Sequence, residues 1–374
     1  MNFIVNILYY VVPFLVLLGI LVFVHEFGHY LVAKLCKVKV SEFSIGFGKQ
    51  LWGKTDKAGT LWKVSAIPLG GYCKFLGDED AASSSGKNSN LSEEDKKYAF
   101  AYQSPLKKLA IVVGGPGFNY LFAILIFIGI YSTFGKVEIP PVIGEVLPNS
   151  AAAEAGILPN DRILSVDGKE IKTFQDFRAE IEMNTSGVVN IKLQRSDKTI
   201  NLEVKLKQIS NKEKGLESNK PMVGVLSSSN VEIALVDLSF TQAVVTSFKE
   251  TWNITEMTLL GVYQMITGER SAEDLGGIVR IAELSGDISK TKSLIDFLMF
   301  MALLSINLGL INLFPIPLLD GGHVVIFVIE ILLGKEINEK AKEWVFKFGF
   351  ALLIALMVFA TYNDIVHLLK RWFS

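Results

Sequence analysis

The run from Val11 to Val24 carries no charge and leads into His-Glu-Phe-Gly-His, residues 25 to 29. Its apolar residues surround the whole helical circumference, so the segment must be buried in lipid or protein. Three ionisable groups, His25, Glu26 and His29, follow before the first lysine, Lys34. On a helix, positions i and i+4 share a face, so His25 and His29 can offer two imidazole nitrogens to one metal ion. Glu26 then stands where it can take a proton from a water polarised by that metal. Ionisable groups within a membrane span are costly and usually functional. The pattern therefore points to a zinc peptidase site at membrane depth.

The competing reading is a satisfied histidine pair packed in a core. Only four histidines occur in the 374 residues, and two of them fall in this pattern. Half of the chain is hydrophobic, too much for an ordinary soluble enzyme. A net charge of -1 gives no basic field for nucleic acid, so nucleic-acid binding is not expected. Cys36 and Cys73 form neither a disulfide framework nor a zinc-ligand spacing. The N-terminus lacks the basic patch and small-residue cleavage site of a removable signal peptide, so the first apolar segment is expected to be retained.

Four segments are long and apolar enough to cross a bilayer, which takes about 20 residues: roughly 7 to 33, 109 to 134, 297 to 333 and 348 to 368. The third is too long for one straight span and is interrupted by Pro315, Pro317 and Gly321-Gly322. Such a break is tolerated at depth only where protein or a water cavity covers the freed backbone. Lysines at 34, 37 and 39, at 107 and 108, and at 335, 340, 342 and 347 fall on one side of a four-span arrangement, which is then cytoplasmic. The N-terminus and residues 135 to 296 are expected outside. Lys370 and Arg371 oppose this weakly.

Between the first two spans, residues 37 to 104 read as a cytoplasmic, membrane-dipping β region with Gly70-Gly71 as its turn. Within it, residues 79 to 98 read as a flexible, solvated loop. The outer segment carries Val142-Ile143-Gly144-Glu145-Val146, then Asn149-Ser150-Ala151-Ala152, then Asn160-Asp161-Arg162-Ile163. A helix from Thr173 to Met183 and strands at about 188 to 194 and 199 to 206 follow. This stretch, 136 to 208, resembles a PDZ domain of the bacterial type, which implies a strand-edge groove led by Ile143 and Gly144. The alternative is a domain that only packs against the membrane unit. Residues 209 to 292 extend it with an amphipathic helix, Thr241 to Thr267, expected at the outer interface or packed on the preceding domain.

A catalytic zinc usually keeps three protein ligands, so the histidine pair needs a partner. Asp320 is the candidate, a carboxylate inside the broken apolar segment 293 to 334. A helix cap would also account for an aspartate there. His-Glu-Phe-Gly-His combined with Asn312-Leu313-Phe314-Pro315-Ile316-Pro317-Leu318-Leu319-Asp320-Gly321 resembles the site-2 protease family of intramembrane metalloproteases. Ile67-Pro68-Leu69-Gly70-Gly71-Tyr72, Gly115-Pro116-Gly117-Phe118-Asn119 and Leu275-Gly276-Gly277-Ile278 extend the match over nearly the whole chain. With the PDZ-like insertion, the similarity is greatest to the bacterial regulator-of-sigma-E protease branch. That branch carries two PDZ domains in tandem where one is read here, and proline where Ile278 stands.

The resemblance implies a polytopic α-helical membrane protein of about four transmembrane helices, with a membrane-associated β-hairpin and an inserted periplasmic PDZ domain (α+β). It implies zinc held by His25, His29 and Asp320, with Glu26 as general base. Asn312 and Asn119 would hold the substrate backbone or polarise its carbonyl, and the segment around Gly70 and Gly71 would pair with an unwound substrate helix. His323 would be structural or would support a zinc ligand, and His367 would pack or face the interface. The implied reaction is peptide-bond hydrolysis within single-span membrane proteins, such as an anti-sigma factor or signal-peptide remnants, in the lipid bilayer of a bacterial inner membrane. Two rivals stand beside it: a membrane zinc protease with a glutamate third ligand, and a non-catalytic scaffold tethering partners through the PDZ domain.

Overall fold

In the computed structural model, which describes residues 2–78, 91–184, 186–211, 216–227, 234–268 and 276–373, the first apolar run is one helix, α1 (Asn2–Leu35). Contacts divide the chain into two units, residues 1–127 with 275–374, and residues 128–274.

After α1 come two long strands, β1 (Val40–Thr55) and β2 (Leu61–Phe75), joined by a turn at 56–60. Asp56 builds that turn, its carboxylate accepting from the amides of Ala58 and Thr60 at 2.8 and 2.9 Å. The other carboxylate oxygen accepts from Trp62 Nε1 at 3.1 Å and from the Tyr30 hydroxyl on α1 at 3.4 Å. Gly70-Gly71 is therefore not the turn expected from the sequence; it lies inside β2. Residues 42–45 are partnered twice, Phe43 by Cys73 and by Trp62, and Ile45 by Gly71 and by Val64. The strands thus bend back over themselves, and the bend uses Gly70 at φ 127°, open to glycine alone. Segment 71–75 becomes an outer strand. Among the described residues it pairs only with 40–45.

Of the expected loop 79 to 98, residues 79–90 lie outside the described residues. The remainder is ordered: Ser92 caps a short helix, α2 (Glu93–Lys96), and Lys39 donates to the Tyr98 carbonyl at 2.9 Å. Phe100 then stacks on Phe75 with ring centroids 4.8 Å apart. Pro105, at the first helical position, starts α3 (Pro105–Phe134).

The second unit has its own core. A four-stranded antiparallel sheet runs in the order β6-β5-β7-β8, from β5 (Arg162–Val166), β6 (Lys169–Glu170), β7 (Val188–Arg195) and β8 (Lys198–Lys205). Beside it lie three two-stranded pairs. These join β3 (Lys136–Glu138) to β12 (Ala234–Val236), β4 (Ile143–Val146) to β11 (Val225–Ser227), and β9 (Lys207–Asn211) to β10 (Leu216–Met222). Helices α4 (Ala151–Ala155) and α5 (Phe174–Met183) cover the core, where Ile143, Ile163, Phe177, Val189, Ile191 and Leu193 are buried. Thr173 and Asp176 close a reciprocal capping box at the start of α5. The last helix of this unit, α6 (Phe240–Thr267), buries small residues, Ala243, Ser247 and Thr251, while Phe248, Trp252 and Tyr263 stand exposed.

The first unit resumes with α7 (Ile278–Thr291), α8 (Leu294–Asn312), α9 (Asp320–Leu333) and α10 (Glu339–Phe373). Among the described residues, four helical stretches are long and apolar enough to span a membrane: Tyr9–Leu35, Pro105–Phe134, Leu294–Asn312 and Lys340–Val366. The expected third segment, 297 to 333, is two helices rather than one. Between them Pro315 and Pro317 remove amide donors, and Leu318 turns the chain at φ 81°. The chain folds so closely over the start of α9 that a Cβ on Gly321 would lie 2.1 Å from the Phe314 carbonyl oxygen. Beneath the break, Ala33, Val38, Phe75, Phe100, Ile111 and Phe327 form one apolar cluster joining α1, the strands, α3 and α9.

Candidate metal centre

His25 and His29 lie one turn apart on α1, with Nε2 atoms 3.2 Å from each other. Asp320, the first residue of α9, meets both. Its Oδ2 is 3.1 Å from His25 Nε2 and its Oδ1 is 3.5 Å from His29 Nε2. The carboxylate caps no amide: Leu319 is the N-cap and no side chain bonds the first turn. Asp320 Oδ2 is buried without a hydrogen-bond partner. Donor atoms at about 2.1 Å from a tetrahedral zinc lie ~3.4 Å apart. The spacings here match that figure, so the residues fit one zinc ion, and this is the cluster of three such donors found among the described residues.

Neighbouring elements set the imidazole orientations. His29 Nδ1 is 2.9 Å from the Ile111 carbonyl on α3. A carbonyl only accepts, so Nδ1 carries the proton and the Nε2 lone pair faces Asp320 and His25. Helices α1 and α3 approach closely because both carry glycine at their crossing. A Cβ on Gly28 would lie 2.3 Å from the Gly114 carbonyl oxygen, and one on Gly115 would lie 2.3 Å from His29 Nε2.

A cavity of about 340 Å³ opens on the cluster, lined by His25, Glu26, His29 and Asp320 with Gly71, Tyr72, Cys73 and Asn312. A water molecule occupies about 30 Å³ of liquid, so the space takes water and a stretch of chain together. The outer strand segment 71–75 forms one wall. A Cβ on Gly71 would lie 3.2 Å from Glu26 Cγ, which shows how tightly this strand sits against α1.

Of the residues expected at the site, His25, Glu26, His29, Asp320, Asn312 and Gly71 are brought together, and Gly70 adjoins them in the chain. Asn119 is placed differently from the expectation of a substrate contact. It is fully buried, absent from the cavity wall, and its Nδ2 is 3.0 Å from His25 Nδ1. Of the pair expected to lead a strand-edge groove, Ile143 is paired within the chain. Ile143 exchanges backbone hydrogen bonds with Asn160 and Asp161 on one side, and β11 pairs along β4 on the other. The Ile111 carbonyl escaped sequence reading, and Gly115 was read only as part of a matching stretch, without its place against His29. A backbone acceptor has no side-chain signature, and the sequence does not show which neighbour a glycine in Gly114-Gly115-Pro116-Gly117 packs against.

Comparison with known proteins accords with this geometry. Residues 13–356 match Peptidase family M50. A protein of Agrobacterium fabrum is 38% identical over 364 residues, covering 96% of each chain. One of Rhizobium meliloti is 38% identical over 374 residues, covering 98% of this chain and 99% of its own. One of Campylobacter jejuni is 35% identical over 367 residues, with 97% and 95% covered. Each bears the name "Putative zinc metalloprotease". With a matched family spanning both halves of the histidine–aspartate cluster, the chain belongs to peptidase family M50, the site-2 proteases, and is a membrane zinc metalloprotease.

Proposed function

We propose that His25, His29 and Asp320 hold the zinc and that Glu26 is the general base for hydrolysis of a peptide bond inside a substrate's transmembrane segment. The observation carrying this reading is the convergence of three side chains, the two imidazole Nε2 atoms 3.2 Å apart and each 3.1 to 3.5 Å from one oxygen of the Asp320 carboxylate, on a cavity that Glu26 also lines. Zinc bound there supplies Lewis acidity toward a peptide carbonyl and toward water. Glu26 accepts the proton of the attacking water and returns it to the leaving amine. Asn312, on the cavity wall, donates its amide hydrogens to the substrate backbone.

A transmembrane helix hides its carbonyls and must be extended before water can attack. The outer strand 71–75 offers a row of backbone groups to a chain unwound in that way, as strand addition does elsewhere. Single-span proteins such as an anti-sigma factor or signal-peptide remnants are the proposed substrates, cut in the course of regulated intramembrane proteolysis. By helix rise, His25 lies ~13 Å along the axis from Lys34, which puts the cut in the cytoplasmic half of a bacterial inner membrane. In this reading the N-terminus and the second unit are periplasmic. The second unit is a PDZ domain acting as a size filter rather than a peptide clamp, a reading supported by the pairing of Ile143 on both of its sides within the chain. The exposed Phe248, Trp252 and Tyr263 face of α6 rests on the outer leaflet.

The test is Glu26→Gln in the purified full-length protein with a single-span test substrate. Cleavage is expected to fall by at least ~100-fold, the scale of a lost general base, with bound zinc unchanged. Cleavage at the parent rate removes the mechanism.

A further inference from the structure

Both zinc-facing histidines expose Nε2 toward Asp320, yet only His29 has an evident acceptor on its other nitrogen, the Ile111 carbonyl. For His25 the neighbour is Asn119 on α3, whose Nδ2 is placed 3.0 Å from His25 Nδ1. Taken literally, a donor there makes Nδ1 the lone-pair nitrogen and puts the proton on Nε2, against Asp320 and away from any metal bond. The same amide leaves its Oδ1 buried with no donor. The two amide atoms are nearly isosteric, and their assignment follows the hydrogen-bond network. Exchanging them gives the oxygen a donor, the His25 Nδ1–H, and frees the Nε2 lone pair.

Resting on the zinc reading above, we infer that Asn119 is a positioning residue whose side-chain oxygen accepts from His25 Nδ1–H and thereby fixes the tautomer and ring plane that present Nε2 to zinc. Three further observations support this. Asn119 is completely buried, so its amide has no water to turn toward. Its main chain is held by Ser305 Oγ, which donates to the Asn119 carbonyl at 2.8 Å and links α3 to α8. Asn119 is also absent from the cavity wall, so it does not reach a bound peptide from where it stands. The two histidines are then held alike, His29 by a backbone carbonyl and His25 by an amide oxygen. Partners of this kind are worth roughly 10–100-fold in metal affinity.

The experiment uses the full-length protein in detergent, with zinc affinity measured by competition against a chromophoric chelator. Asn119→Leu keeps the size of the side chain and removes the acceptor; zinc affinity should drop at least ~10-fold. Asn119→Asp restores an acceptor, and affinity should return to within about threefold of the parent, even if the leucine variant proves unstable. Selective ¹⁵N-histidine spectra of the zinc-free protein give a second readout: one histidine should change from the Nδ1–H form toward a tautomer mixture in Asn119→Leu and not in Asn119→Asp. Unchanged zinc affinity in Asn119→Leu with a raised KM overturns the inference and returns Asn119 to the substrate. Equal losses in the leucine and aspartate variants overturn it too. His25→Ala is the separate control: if that variant binds zinc like the parent, the ligand assignment itself fails, whatever Asn119 does.

Discussion

At the scale of single residues, the metal centre depends on close packing as much as on its donors. A methyl group on Gly115 would occupy the space of the His29 Nε2 atom. Gly115→Ala should therefore weaken zinc binding at least ~10-fold although it adds one carbon and favours helix; chelator competition checks this, and parent-like affinity would contradict it. Asp320→Ala should abolish stoichiometric zinc, measured by metal analysis of the purified protein, whereas retained zinc would favour a ligand from elsewhere. The donors were legible in the sequence because ionisable groups inside apolar runs are costly and so announce themselves. The supports were not: the Ile111 carbonyl belongs to the backbone, and Asn119 announces a polar role without saying whether it serves substrate or histidine.

At the scale of elements, the strand pair shows where local signals fail. Gly70-Gly71 and the Asp56–Gly59 stretch both carry turn-forming residues, and the sequence reading took only the glycines as the turn. Asp56 makes the turn because its carboxylate collects the Ala58 and Thr60 amides and Trp62, while Gly70 and Gly71 serve the bend and the approach to α1. The broken third segment was legible from Pro315 and Pro317; its division into two helices was not, since it depends on Leu318 at positive φ. The folded strands are pinned by Glu42, whose carboxylate takes Lys63 Nζ at 2.5 Å and the Tyr72 hydroxyl at 3.0 Å. Chiefly the Lys63 hydrogen bond, with help from Tyr72, holds the Glu42 carboxyl below its usual range. A depressed carboxyl stabilises above its unfolded pKa, about 4.3, and that contribution is lost as pH falls through the folded value. The protection of amides 61–64 and 71–74, relative to their intrinsic exchange rates, should fall as the pH drops through the Glu42 titration in the parent. Glu42→Gln should show faster exchange already at pH 7, by a factor matching roughly 1 kcal/mol or less. Identical exchange in both proteins at both pH values would contradict this.

At the scale of the whole molecule, the two units keep separate cores, and every proposed zinc donor lies in the first. In the second, Asp161 is buried and takes Arg195 Nε and Nη2 at 2.8 and 2.7 Å. Asp161→Ala takes the acceptor from the Leu158 amide and from Arg195 and should lower the thermal transition of the full chain, with zinc content at the parent level. Loss of zinc in that variant would mean that the centre depends on the second unit. The proposed centre is one ion held by two imidazoles and one carboxylate drawn from opposite ends of the chain. X-ray absorption at the zinc edge of the purified protein tests that most directly. The predicted first shell is nitrogen and oxygen only, at about 2.0–2.2 Å, with the scattering signature of two imidazoles. A sulfur shell at about 2.3 Å, which only Cys73 on the cavity wall could supply among its lining residues, or a first shell unchanged by Asp320→Ala, would contradict it.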